Sequence, residues 1–199
     1  YNYLALSQEE KDLLAYATEL KRDNKIGKII VLINTSNALQ VDFLKDPAFD
    51  VDACLWIGGL GIRGTNAVAD ILVGDVNPSG SLADTYAYDN YSSPAMQNFL
   101  ATQYTNWEGN VPGEAKSYMI YQEGIYVGYK YYETRYEDYV MGKANVGEFN
   151  YNDDVAFTFG YGESYSEFEY TDFKVNYNAE TDQYDVNVTV ENHSDIPGK

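Results

Sequence analysis

The chain has a single cysteine, Cys54, a single histidine, His193, and 13 Lys and Arg against 31 Asp and Glu in 199 residues. One cysteine excludes an internal disulfide or a cysteine-based zinc framework. Placed inside an apolar run, Cys54 is expected to be a buried, inert thiol. His193 stands in a polar stretch with no second His or Cys beside it, so neither a metal site nor a Ser-His-Asp triad is expected, and no cofactor is called for. A formal net charge of −18 with no cluster of Lys and Arg argues against nucleic acid and against anionic membrane surfaces as partners. The acidic residues are dispersed and read as a solvated surface. No apolar run approaches the roughly 18 residues of a membrane span. No basic segment followed by an apolar stretch opens the chain. Tyr1 to Leu6 are already apolar, so a natural start is expected upstream, and the compartment stays open.

What is present is strongly patterned. Ser7-Gln8-Glu9-Glu10 has the form of a capping box, and Leu13, Leu14, Ala17 and Leu20 recur at helical spacing to about Arg22. Lys28 to Ile33 (KIIVLI) is a β-branched run of the kind buried on both faces of a parallel sheet. A short helix is expected over Leu39 to Leu44, and a second buried strand over Ala53 to Ile57. Strand and helix in alternation indicate an α/β fold with a mainly parallel sheet. Leu82 to Ala87 is a candidate edge strand. Two clear parallel strands are few for a sheet, so neighbouring strands are expected outside this sequence.

Trp56 to Gly80 (WIGGLGIRGTNAVADILVGDVNPSG) joins the second strand to glycines 58, 59, 61 and 64. A helix follows with Ala67, Val68, Ile71 and Leu72 on one face, then an Asn77-Pro78-Ser79-Gly80 turn. The glycine spacing is neither the G-x-G-x-x-G of dinucleotide folds nor a P-loop, which argues against phosphate. Close approach of another backbone or of sugar hydroxyls remains open. Tyr88 to Asp154 is irregular, except that Tyr118 to Tyr132 reads as an extended aromatic segment with rings on both faces. Phe168 to Tyr177 and Tyr184 to Glu191 read as an antiparallel hairpin.

Three stretches, Gly64 to Gly80, Glu123 to Tyr132 (EGIYVGYKYY) and Phe157 to Phe168 (FTFGYGESYSEF), resemble in sequence and in order the C-terminal half of glycoside hydrolase family 3. The resemblance covers nearly the whole chain. Glu163 and Ser81-Leu82-Ala83-Asp84 depart from the common family pattern. The resemblance implies a retaining β-glucosidase-like enzyme with a catalytic (β/α)8 barrel, an α/β sandwich and a fibronectin type III domain. Residues 1–87 would be the second part of the sandwich, 88–154 a connector, and 155–199 an incomplete fibronectin type III-like domain.

A retaining glycosidase needs two carboxyl groups about 5 to 5.5 Å apart. By the resemblance, the nucleophile belongs to a Ser-Asp-Trp context on the barrel, and the acid/base glutamate lies just upstream of Tyr3-Leu4-Ala5-Leu6. Ser194-Asp195-Ile196 lacks the tryptophan. No catalytic residue is therefore expected in this chain, which alone should be inactive. Its implied partners are the catalytic barrel of the same enzyme and a β-linked glucoside or oligosaccharide. Trp107, in the connector, is the leading candidate for stacking on sugar. Glu123 could bond backbone amides or a tyrosine hydroxyl, or contact substrate. Gly58, Gly59 and Gly61 are candidates for packing against the barrel. The rival reading is a non-catalytic carbohydrate-binding or adhesion module.

Overall fold

The computed structural model describes residues 3–99, 102–104 and 117–198. The chain runs through α1 (Gln8–Arg22), β1 (Ile30–Ile33), β2 (Ala53–Trp56), α2 (Gly64–Leu72), β3 (Tyr86–Ala87) and α3 (Pro94–Gln97). It continues through β4 (Thr102–Gln103), β5 (Ser117–Tyr118), α4 (Tyr129–Val140), α5 (Tyr151–Asp154), β6 (Val155–Phe157), β7 (Phe168–Asn178) and β8 (Gln183–Asn192). Two compact units result, each assembled from two separated segments: Tyr1–Gly59 with Leu82–Tyr161, and Leu60–Ser81 with Gly162–Lys199.

The first unit starts with the expected capping box. Glu10 N donates to Ser7 Oγ, and Ser7 N donates to Glu10 Oε2 at 2.8 Å, so two orphan donors at the start of α1 are satisfied reciprocally. β1 and β2 pair in parallel with Ile30 opposite Ala53 and Ile33 opposite Trp56. Asp52 fastens the entry to that pair. Its carboxylate accepts from Lys21 Nζ at 2.7 Å, from Lys28 Nζ at 2.9 Å and from the Ile29 amide at 2.8 Å. These donors, Lys21 first, hold the Asp52 carboxyl well below the usual carboxylate range.

The expectation of burial on both sheet faces needs correction. Ile33 is buried and Val31 packs with it, while Ile30 and Leu32 on the alternate face are exposed. The β-branched run reports strand propensity, and only one of its faces meets the core made by Ile33, Leu39, Val41, Phe43 and Tyr86. Cys54 is likewise exposed rather than buried, although desolvation by its surroundings pushes its thiol up to about 11. The helix expected over Leu39 to Leu44 shrinks to a 3-10 turn at Asp42–Leu44, with Phe43 buried. The edge strand at 82–87 does not extend the parallel sheet. Tyr86 pairs antiparallel with Phe157, and Leu82 and Tyr161 continue that return by a main-chain bond of 2.7 Å.

Tyr118 to Tyr132 is not one extended segment. Gly124 and Gly128 both take positive φ, +56° and +58°, which breaks the strand, and α4 begins at Tyr129. Tyr132 is then buried with Ala87, Val146, Phe149 and Val155 in a second apolar cluster. That burial orders part of the stretch whose sequence reads as irregular.

The second unit joins α2 to the β7–β8 hairpin. Register pairs Tyr170 with Val190 and Tyr177 with Tyr184, interrupted by a bulge between Thr171 and Lys174. Asp172 in that bulge has φ +54°. The extra residue changes the parity of the strand, so Phe168 and Tyr170 stay on the same face as Val175 and Tyr177. Opposite them Tyr184, Val186, Val188 and Val190 complete an apolar face, and Glu169, Thr171, Lys174 and Asn176 share the polar one.

Asn77 ties the segments of this unit together. Its Nδ2 donates to Ser166 Oγ at 2.7 Å and to Pro197 O at 2.9 Å, and its Oδ1 accepts from the Tyr165 amide at 2.7 Å. Tyr165 OH donates to Ile71 O at the end of α2, also at 2.7 Å. Gly162 lies on the same seam: a Cβ there would stand 2.3 Å from Gly80 O, closer than any side chain can approach.

Two outcomes follow from these fastenings. Asp52→Asn lowers the thermal midpoint at pH 7, and its gap from the parent chain closes as pH falls below the ordinary carboxylate value near about 4. The sign is set by the depressed folded-state value: the stabilisation is present above the unfolded value and is lost on protonation. An unchanged midpoint at pH 7 would refute it. Asn77→Ala removes three hydrogen bonds and costs about 2 to 3 kcal/mol in urea unfolding, with faster amide exchange in β7 and β8. Slow exchange retained in both strands would contradict that assignment.

Candidate functional site

The first unit contains a cavity of about 690 Å³ whose lining includes Tyr3, Trp56, Asp84, Glu123, Tyr126 and Tyr131. Aromatic walls with a few polar groups are the usual make-up of a small-molecule site. Each polar group is positioned by a local feature of the chain.

Trp56 closes β2, and its indole Nε1 donates to Thr35 O at 2.9 Å, just beyond β1. The ring is thus braced across the parallel pair while remaining partly open to solvent. Gly58, at φ +53°, lies against that ring; a Cβ there would stand 3.3 Å from Trp56 Cζ2. Bare backbone at 58 therefore has a local cause. Gly59 and Gly61 differ, since nothing lies within 4 Å of a Cβ built on either.

Asp84 Oδ1 accepts from the Thr85 amide at 2.8 Å, and the same oxygen lies 3.0 Å from where a Cβ on Gly128 would stand. Gly128 combines φ +58° with ψ −130° immediately before α4, a conformation essentially reserved for glycine. The glycine lets Asp84 sit against the helix start, where the macrodipole favours a negative charge. On α4, Tyr132 OH and Ser92 Oγ are 2.9 Å apart. Burial raises the phenol pKa of both Tyr132 and Tyr86.

Glu123 occupies the turn before this glycine, where its carbonyl accepts from the Tyr126 amide at 2.9 Å. Its Oε2, like Thr85 Oγ1, is buried and has no partner among the described residues. Glu123 and Thr85 both line the cavity, and each also keeps one buried oxygen without a partner among the described residues, a costly state until a donor is gained.

Of the residues singled out in the sequence, Glu123 lies in this cavity and Gly58 packs beside it. Trp107 lies outside the described residues. Asp84 and Thr85 were missed as site residues; the only signal was that Asp84 falls in a stretch departing from the family pattern. Also unforeseen is a group on the hairpin, where His193 Nε2 lies 2.8 Å from Glu169 Oε2 and 3.7 Å from Glu191 Oε2. Its members are up to 24 residues apart in sequence, so only strand register brings them together.

Known proteins resemble this chain over most of its length. The model of the "Glycosyl hydrolase family 3 C-terminal domain" matches residues 2–129. A β-glucosidase of Ruminococcus albus is 32% identical over 148 residues, 74% of this chain and 12% of that protein. An exo-alpha-(1->6)-L-arabinopyranosidase of Bifidobacterium breve is 35% identical over 171 residues, 84% of this chain and 18% of that one. The solved structure of β-glucosidase 3B from Thermotoga neapolitana in complex with alpha-D-glucose superimposes with a TM-score of 0.66 at 29% identity. It covers 95% of this chain and 22% of its own. The chain belongs to the glycosyl hydrolase family 3 C-terminal domain family, and spans less than a quarter of each of these three relatives.

Gly128→Ala places a side chain both in a glycine-only conformation and against Asp84. It should cost about 1 to 3 kcal/mol in chemical unfolding. Gly59→Ala, with open space and no positive φ, serves as the comparison and should change stability little; equal losses for the two variants would contradict the account of Gly128.

Proposed function

We propose that this chain is the accessory part of a retaining β-glycosidase, β-glucosidase-like in its chemistry, and that it packs on a catalytic (β/α)8 barrel of the same enzyme. In this reading the nucleophile and the acid/base carboxylate both come from outside these 199 residues. Residues 1–87 supply the sandwich portion, 88–154 a connector, and the β7–β8 hairpin opens a fibronectin type III-like domain. Gly59 and Gly61, with nothing near their Cα hydrogens, give a barrel loop room for close approach.

The observation that carries the reading is the cavity beside Tyr3 and Leu4, the stretch that by family resemblance comes shortly after the acid/base glutamate. A sugar entering there would meet Trp56 and Tyr126 as flat apolar faces, with the Glu123 carboxylate beside them as a partner for its hydroxyls. Trp107 is proposed as a further stacking residue. Relatives in the family include both a β-glucosidase and an arabinopyranosidase by name, so sugar identity rests with residues beyond those shared here.

The test uses the longer enzyme that carries this chain. Glu123→Gln should lower kcat/KM for a nitrophenyl β-glucoside by about 10- to 100-fold, the effect of losing a hydrogen bond to a charged group of about 1.5 to 3 kcal/mol. The purified 199-residue chain should show no turnover. An unchanged kcat/KM would remove Glu123 from the site. Turnover by the chain alone, or β-glucan binding by it with no barrel in the longer protein, would replace the enzyme reading by a self-sufficient or purely binding one.

A further inference from the structure

The hairpin carries a cluster that the glycosidase reading does not use. Glu169 and Glu191 stand directly opposite each other in the β7–β8 ladder, and two like charges at such a position destabilise the pair unless a cation lies between them. The chain's only imidazole is set at that point. His193 follows β8, its amide donates to Glu167 O at 2.8 Å, and its Nε2 reaches both carboxylates at 2.8 and 3.7 Å.

The backbone under the cluster is held on both sides. The ladder fixes Glu169 and Glu191, while the turn after His193 is closed by Asn192. Its Oδ1 accepts from the Ser194 amide at 2.9 Å, and its Nδ2 donates to Ile196 O at 2.8 Å. The ligand atoms of Glu169, Glu191 and His193 all lie within 4.8 Å of one another. A tetrahedral zinc ion with bonds of about 2.0 to 2.1 Å keeps its N and O ligands about 3.3 Å apart. The two imidazole-to-carboxylate distances bracket that spacing, and all three side chains are exposed, so small rotamer shifts suffice to reach it.

We propose that Glu169, Glu191 and His193 form a binding site for a divalent transition-metal ion, with zinc the best match to one imidazole and two carboxylates. Water completes the tetrahedron. The bound ion acts as a clasp across the open end of the hairpin, replacing a repulsive pair by a shared cation. The site is independent of the sugar cavity and of the glycosidase reading.

The experiment titrates the 199-residue chain with zinc chloride in a non-chelating buffer, by calorimetry and by NMR of the imidazole protons, which are unambiguous because the chain has one histidine. One zinc per chain should bind and shift both imidazole resonances. His193→Ala should abolish the binding. Glu169→Gln and Glu191→Gln should each weaken it at least as much as the loss of an outer partner of a metal ligand, about 10- to 100-fold. Circular dichroism confirms the fold of each variant, and the imidazole shift in the parent chain stands even if a variant unfolds. Calcium, which takes oxygen ligands, should leave the imidazole signals in place. Binding that survives His193→Ala, imidazole signals unmoved at saturating zinc, or an equal response to calcium would overturn the proposal and leave only diffuse attraction to an acidic surface.

Discussion

The side-chain amide of Asn77 is the fastening on which the second unit depends. An amide offers two donor hydrogens and an acceptor in one rigid plane, and here it bonds to Ser166, Pro197 and Tyr165 at once. Those partners lie 88 to 120 residues away along the chain. No local propensity can close a loop of that length, so the entropy of closure must be offset by specific contacts where the segments meet. Gly162 makes the meeting possible, because a Cβ on it would run into the Gly80 carbonyl. The Asn-Pro-Ser-Gly turn and the Gly162 to Ser166 stretch, which fall in separate sequence markers, are the two halves of one joint.

The first unit obeys the same logic with different chemistry. Asp52 gathers two lysines and a main-chain amide at the start of the parallel pair, which sets where β1 and β2 begin. At the far end of the pair, Trp56 bonds back to Thr35 and presents its ring to the cavity. The cavity is therefore a product of strand register on one wall and of the Asp84–Gly128 contact on the other. That contact in turn permits α4 to start where it does and to bury Tyr132. The zinc clasp proposed on the hairpin belongs to this pattern as well, since it rests on a register pairing of two carboxylates.

Much of the fold is legible in the sequence. The capping box at Ser7, the parallel strands, α2 and the hairpin are all written in local signals: a cap, a β-branched run, a 3.6-residue period, a two-residue period. Legibility failed where a tertiary contact overruled the local pattern. Tyr118 to Tyr132 has the composition of a strand, yet two glycines at positive φ and the burial of Tyr132 turn its end into a helix. The run Ile30 to Ile33 has the composition of a doubly buried strand, yet one face is open. Within the candidate site, Glu123 stands out because it sits in a family motif, whereas Asp84 is marked only by a stretch that departs from the family pattern and Thr85 by nothing.

By itself, the sequence determined the α/β class, the family, the hairpin and the acidic, histidine-poor chemistry, because these depend on residues within one element or one motif. Only the tertiary structure decided which polar residues share a cavity, which glycine serves Asp84, and that the lone histidine faces two glutamates. Those are facts about residues distant in sequence, and the closure of long loops that joins them is set by contacts no local pattern encodes.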